Sequence, residues 1–451
     1  MIFSARHLPD GLQLDPQTGR ITGRLNQPGE YMVKLYAKNE LGKARQLFKI
    51  VCGPQIGLTP AMGWNSWNCF AHAVTADHVK AAANAMVASG LINHGWTYIN
   101  VDDYWQVNRD TDDPTLYGPE RAADGRILPN PRFPDMKALA DYVHGLGLKI
   151  GLYSSPGPWT CGGCVGSFNH EPQDAQRYAD WGFDYLKYDW CSYTPELEAE
   201  RGISTNYLAL KKGSKPRDRE QLMRPYQIMR DALDQQHRDI IYSLCQYGWG
   251  NVWEWGAQVG GNSWRTTGDI RDNWKSMSGI GFRQNGHEKY AGPGHFNDPD
   301  MLVVGKLGWG NLHPTGLTPD EQYTHISLWC LLAAPLLIGC DMTELDPFTL
   351  SLLSNDEVIE VDQDPLGRQA SRVSKNGELE VWAKEMDDGS KAVGLFNRGE
   401  TSATVEAKFS DLGINGRHRI RDLWRQKDLG KFRNSFSTEV QPHGVVLVRI
   451  W

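Results

Sequence analysis

No stretch of this 451-residue chain approaches the ~20 consecutive apolar residues that a membrane-spanning helix needs. The residues after Met1, IFSARHLPDG, lack the charged start and long apolar centre of a secretory leader, so no signal peptide is read there. Runs of Lys and Arg are missing too. Acidic residues outnumber basic ones 54 to 47, so no nucleic-acid partner is expected. The eight cysteines, at 52, 69, 161, 164, 191, 245, 330 and 340, are too sparse for a disulfide-built scaffold. CGGC at Cys161 to Cys164 invites a redox or zinc reading, but structural zinc wants two more ligands at similar spacing and the next cysteine is Cys191. One structural disulfide in an exported protein fits the count better. Internal repeats and low-complexity tracts are also absent. Tryptophan, by contrast, is plentiful. Seventeen indoles offer flat faces of the kind sugar rings stack on, although indole is equally core filler.

The pattern changes twice along the chain. Over 1–56, short alternating runs such as YMVKLYAKN and QLFKIVC, broken by Gly, Pro and Asn, predict a small antiparallel β module. Over 57–367, short apolar strands alternate with helical stretches. TADHVKAAANAMVASGL reads as a helix with Thr75 as N-cap and Gly90 at its end. The strands are AMGWNSW, WTYINVDD, LKIGLYSS, FDYLKYDW, DIIYSLCQY, NSWRTTGD, GHFNDPDM and AAPLLIG. Eight βα units predict a closed (β/α)8 barrel. An open doubly wound sheet is the alternative, but no GxGxxG follows the first strand. Over 368–451 the helices stop, and strands joined by turns such as Asp387-Asp388-Gly389 predict an antiparallel β-sandwich.

In each barrel strand the apolar part comes first and the polar or aromatic residues come at the carboxyl end. They are Trp64 and Trp67, Asp102 and Asp103, Tyr153, Lys187 and Asp189, Cys245 and Tyr247, Arg265 and Asp269, and Asp298 and Asp300. Barrel active sites sit on that face, so these residues are expected to converge. Alternation puts Lys187 and Asp189 on one face with Tyr188 on the other. Such a pair could be a structural ion pair or a nucleophile with its electrostatic partner. Several carboxylates, two cations and aromatic walls suit glycoside hydrolysis, which needs one ionised carboxyl and one protonated one. Lys187 is expected to hold Asp189 ionised, and Asp269 is the best candidate for the acid, its pKa raised by burial and nearby negative charge. Asp102 and Asp103 can reach the rim to bind sugar hydroxyls, and Trp67 can supply a platform. The competing reading is a Mg²⁺ or Ca²⁺ hydrolase, but Lys187 and Arg265 would repel the ion; no metal is expected.

The motifs GLTPAMGWNSWNCF, YINVDDYWQ, LKIGLYSSPG, DYLKYDWC, NSWRTTGDI, FNDPDML and AAPLLIG, in this order, resemble glycoside hydrolase family 27, the retaining α-galactosidases of clan D. GLQLDPQTGRITG resembles the start of bacterial immunoglobulin-like modules, here short at its N-terminal end. The family 27 resemblance covers about Gly57 to Trp451. It implies that Asp189 is the nucleophile, oriented and balanced by Lys187, and Asp269 the acid/base. It also implies that Trp67, Asp102, Asp103, Tyr153, Lys187 and Arg265 contact the sugar, with no cofactor, and that Cys161 and Cys191 form a disulfide. Family members acting on β-L-arabinopyranosides tend to carry a longer Glu in the acid pair; two Asp residues here favour galactose. Members acting on α-N-acetylgalactosaminides have small residues near the 2-position, where Cys245 and the bulky Tyr247 stand. The common Cys-Glu-Trp-Gly is Cys245-Gln246-Tyr247-Gly248 here. Cys164 is extra, and Cys69 lacks its usual partner, Tyr104 standing there. The stretch SYTPELEAERGISTNYLALKKGSKPRDREQLM, longer than in compact members, is expected to shape the leaving-group side. The expected enzyme is secreted or periplasmic and acts on carbohydrate with terminal α-galactose. A silent galactoside-binding protein is the other class, although a binder has no need of an acid.

Overall fold

The computed structural model describes residues 1–194 and 218–451, so most of the long segment after the fourth barrel strand lies outside the described residues. The chain divides into two compact units, Met1–Ile56 and Gly57–Trp451.

In the first unit, Ile2–Arg6, Gly29–Lys38 and Lys43–Cys52 form a three-stranded antiparallel sheet, and Leu12–Leu14 pairs with Ile21–Gly23 as a hairpin. Asn39 turns the long hairpin, its side chain accepting from the amides of Leu41 and Gly42. Val33 is the one fully buried residue of this unit.

The second unit begins with eight parallel strands: Met62–Asn65, Tyr98–Asn100, Lys149–Ser154, Tyr185–Asp189, Ile241–Cys245, Ser263–Arg265, Phe296–Asp298 and Leu336–Ile338. They are paired in chain order, and the eighth pairs with the first. Leu302, just past the seventh strand, bridges in parallel to Ile338 and closes the ring. These are the eight strands expected, but several are shorter. The second ends at Asn100, so Asp102 and Asp103 lie beyond it.

The helices start where the sequence offers caps. Thr75, Asp135, Asp218 and Asn273 each accept from an amide three residues on, and Thr318 with Glu321 completes a capping box. Gly90, at φ +83°, follows the first of these helices, Ala76–Ala88. Tyr188 points to the helix layer, its ring 5.9 Å from Tyr226 and 6.0 Å from Tyr242. Its neighbours Lys187 and Asp189 therefore face the interior.

The C-terminal sandwich has a six-stranded antiparallel sheet and a two-stranded one, Ala403–Lys408 with Ser435–Val440. Alternation along the larger sheet divides its apolar residues. Val381, Val393, Leu395 and Val448 build the sandwich's own core. Their neighbours Trp382, Ala392, Phe396 and Leu447 join the core of the barrel. Phe282, from the barrel, meets Trp382 at 6.0 Å and Phe396 at 5.3 Å. Because this ring serves both layers, Phe282→Ala is expected to cost about 3–5 kcal/mol. In urea it should move fluorescence of the barrel and exchange protection of the sandwich to the same lower midpoint. Two separate transitions would show that the layers do not share a core.

Candidate active site

Asp189 closes the fourth strand and is 6 % exposed. Each of its oxygens accepts from a tyrosine: Tyr153 donates to Oδ2 at 3.0 Å and Tyr247 to Oδ1 at 2.8 Å. Tyr153 ends the third strand region beside Lys187 in register; Tyr247 follows the fifth strand, whose Cys245 pairs with Asp189. Tyr247 reaches the carboxylate through a left-handed turn, with φ +67° at Tyr247 and +84° at Gly248. A Cβ at Gly248 would fall 2.2 Å from the carbonyl oxygen of Thr266, so only glycine fits. Burial pushes the Asp189 carboxyl up, against the charge of Lys187 and the bond from Tyr247. Sequence reasoning expects the reverse, a nucleophile held down by Lys187.

Burial outweighs the lysine, whose own hydrogen bond goes elsewhere. Its Nζ donates to Asp102 Oδ2 at 2.8 Å, which also accepts from Asn65 Nδ2 at 2.8 Å. Lys187 is thus bonded to Asp102 of the acid pair and not to Asp189; it lowers the Asp189 carboxyl through space, as expected, but by less than burial raises it. Asp103 stands apart from the lysine. Its oxygens accept from the amides of Tyr104 at 2.8 Å and Gly162 at 2.7 Å, while burial pushes its carboxyl up to about 6. Gly162 follows Cys161, which is disulfide-bonded to Cys191 two residues past Asp189. Asp103 and the disulfide therefore fix one loop over the rim. Cys164 and Cys69 are free buried thiols. The half-buried Trp67 opens the short helix Trp67–Phe70 and lies nearly parallel to Tyr104, ring centres 6.5 Å apart.

On the opposite side, Arg265 ends the sixth strand, 3 % exposed. Its Nη2 lies 3.0 Å from Asp269 Oδ1 and 3.0 Å from Asp300 Oδ2. The Asp269 side chain is 51 % exposed. Burial would raise its carboxyl, but Arg265 and Lys187 outweigh it and hold Asp269 below the usual range. This corrects the expectation of a raised acid: in the unliganded site the buried carboxyl is Asp189 and the arginine-paired one is Asp269. The two are near enough for the charge of Asp269 to raise Asp189 further. Cys245, a buried thiol, lies 3.9 Å from Arg265 Nη1.

Sequence reading gave no role to Asn65 or Asp300 individually. Asn65 precedes Ser66 and Trp67 in the WNSW motif, and Asp300 lies in FNDPDM. The motifs mark both, but pairing across the barrel is invisible in either. Among the described residues, one trio of donors lies close enough for a metal: Cys161, Asp189 and Cys191, within 4.8 Å of one another. Its sulfurs are bonded to each other and offer no thiolates, so the trio does not fit an ion.

Residues 59–364 match the family described as Alpha galactosidase A, and 376–450 match the α-galactosidase C-terminal β-sandwich domain. Residues 2–53 match an Ig-domain family. Alpha-galactosidase 2 of Arabidopsis thaliana is 42 % identical over 392 residues, covering 86 % of this chain and 88 % of the relative. A Bacteroides fragilis crystal structure, designated a candidate α-galactosidase, superposes with TM-score 0.88 at 36 % identity, over 100 % of this chain and 91 % of the other. A Geobacillus stearothermophilus GH27 β-L-arabinopyranosidase superposes with TM-score 0.73 at 29 % identity, over 87 % of this chain and 96 % of the other. With its barrel, its sandwich and the motifs on its rim all accounted for, the chain belongs to the Alpha galactosidase A family of glycoside hydrolases, family 27.

Proposed function

We propose that the chain removes terminal α-linked galactose with retention of configuration, Asp189 acting as nucleophile and Asp269 as acid/base. The observation that carries this is the pair itself: a buried carboxyl held on both oxygens and a half-exposed one opposite, on one barrel rim. An Asp189 oxygen attacks the anomeric carbon while the electrons of the glycosidic bond pass to the leaving oxygen, which takes a proton from Asp269. Asp269 then removes a proton from water, which attacks the same carbon and frees Asp189. Lys187, Asp102, Asp103 and Arg265 are read as hydroxyl contacts, Trp67 as the ring platform, and Cys245 with Tyr247 as the wall near the 2-hydroxyl. The disulfide supports an exported enzyme.

The carboxyls of the free site are set the wrong way for attack, and bound sugar corrects them. A sugar with its aglycone covers Asp269, the exposed member, and burial raises that carboxyl toward its protonated form. The acid limb of kcat, which reports the complex, should therefore lie at higher pH than that of kcat/KM, which reports free enzyme. Coincident limbs would mean that binding leaves Asp269 unchanged.

Asp189 holds the higher of the two titrations in the free site, so its raised pKa sets the basic limb of kcat/KM. Tyr247→Phe deletes a bond to the ionised form, worth about 1 kcal/mol, and should move that limb of kcat/KM up by roughly 0.5–1 pH unit. An unmoved limb would remove Tyr247 from the nucleophile's environment.

The reaction itself is tested on p-nitrophenyl α-galactoside, β-L-arabinopyranoside and α-N-acetylgalactosaminide. Turnover should be strongest on the first and fall roughly a thousandfold or more in Asp189→Ala. The second reading is a β-L-arabinopyranosidase, which the Geobacillus relative keeps in view. Preference for the arabinoside would establish it, and silence on all three would favour a binding protein.

A further inference from the structure

Asp300 is a buried carboxylate, 4 % exposed, in a conformation that non-glycine residues avoid, φ +87°. The surroundings hold it there. Its amide donates to Asp298 Oδ1 at 2.8 Å, and its carbonyl accepts from Trp329 Nε1 at 2.7 Å. The side chain is thereby aimed at the segment carrying Asp269. Oδ2 accepts from the amide of Ile270, the residue after Asp269, at 2.8 Å. The same oxygen lies 3.0 Å from Arg265 Nη2. That nitrogen donates to Thr267 O at 3.2 Å and to Asp269 Oδ1 at 3.0 Å. Its two hydrogens are thus engaged, and Asp300 faces it as a counter-charge.

Resting on the assignment of Asp269 as acid/base, we infer that Asp300 is the positioning residue of that acid: it anchors the Ile270 backbone and offsets the Arg265 charge that would otherwise lock Asp269 as a carboxylate. The need follows from the chemistry. A general acid beside an uncompensated guanidinium stays ionised and cannot deliver its proton. With Asp300 opposite, part of the charge that Arg265 presents to Asp269 is offset. The other charges facing Asp269 are Arg271 on its own segment, and Lys187 and Asp189 on the fourth strand. The Cys245 thiol and the Tyr247 phenol face it uncharged, and behind Asp300 stands Asp298, whose carboxyl burial also pushes up. Asp300 itself is pushed up to about 6 by burial, against the pull of Arg265.

Asp300→Asn tests this with little disturbance. Asparagine tolerates positive φ and keeps an oxygen for the Ile270 amide, so it removes the charge alone. The pH profile of kcat/KM is measured on p-nitrophenyl and methyl α-galactosides. Without Asp300 the full charge of Arg265 acts on Asp269, the lower of the two titrations in the free site, so the acid limb should move down by roughly one pH unit. Methyl galactoside, whose poor leaving group needs the acid, should lose about tenfold more than the aryl galactoside. An unmoved limb with equal losses on both substrates would overturn the inference. If Asp300→Asn lacks the wild-type melting transition, Asp300→Gly, which accepts the backbone angle freely, carries the same two outcomes. Asp269→Asn separates this inference from its foundation. A loss concentrated on methyl galactoside in Asp269→Asn but not in Asp300→Asn sinks the inference alone. Equal losses on both substrates in Asp269→Asn sink the acid assignment and the inference together.

Discussion

Parallel pairing around a closed sheet obliges all eight strands to finish on one rim, and the register then decides which residues meet there. Tyr153 falls level with Lys187, Cys245 with Asp189, and Arg265 with Asp298. These residues come from strands far apart in the chain, and no local interaction could bring them together. The apolar lengths of the strands supply the burial that makes their charges cost so much unless paired. Closure through Leu302 and Ile338 leaves no edge strand at which the rim could open.

Two cations divide that rim between them. Lys187 is committed to Asp102, and Arg265 is shared between Asp269 and Asp300. Asp189 is left with neutral donors, the phenols of Tyr153 and Tyr247. Phenols hold a carboxylate without neutralising it, so the charge of Asp189 is less offset than that of a salt-bridged acid. Under the proposed roles, a raised Asp189 and a lowered Asp269 stand in the reverse of the order the reaction uses. Under those roles the difference comes from the substrate, which would displace water from the half-exposed Asp269.

Much of this was legible before any coordinates. Eight alternating units, polar residues at strand ends and the shared face of Lys187 and Asp189 follow from periodicity, and the motifs name the family. The partner of Lys187 was not legible. Asp189 is its neighbour in sequence, but Asp102, 85 residues away, lies across the strand pairing. The order of the two carboxyls was missed for a related reason. Burial of Asp189 and exposure of Asp269 depend on the closed sheet, and neither has a local signature. The turn at Tyr247 and Gly248 is imposed by Thr266, and the angle at Asp300 by Trp329 as well as by its near neighbour Asp298; Thr266 and Trp329 are distant in sequence. Strand lengths were overestimated at the carboxyl ends, as in the second strand, which stops at Asn100.

The sandwich sheet turns one face to its own core and the other to the barrel, residue by residue along the same strands. Trp382 and Phe396 are thus as much barrel residues as sandwich ones. A barrel severed from this sheet would present Phe282 and its neighbours to water as an aggregation-prone patch. A foreign C-terminal domain grafted onto this barrel would accordingly have to match the side chains around Phe282, whatever the length of the connecting loop.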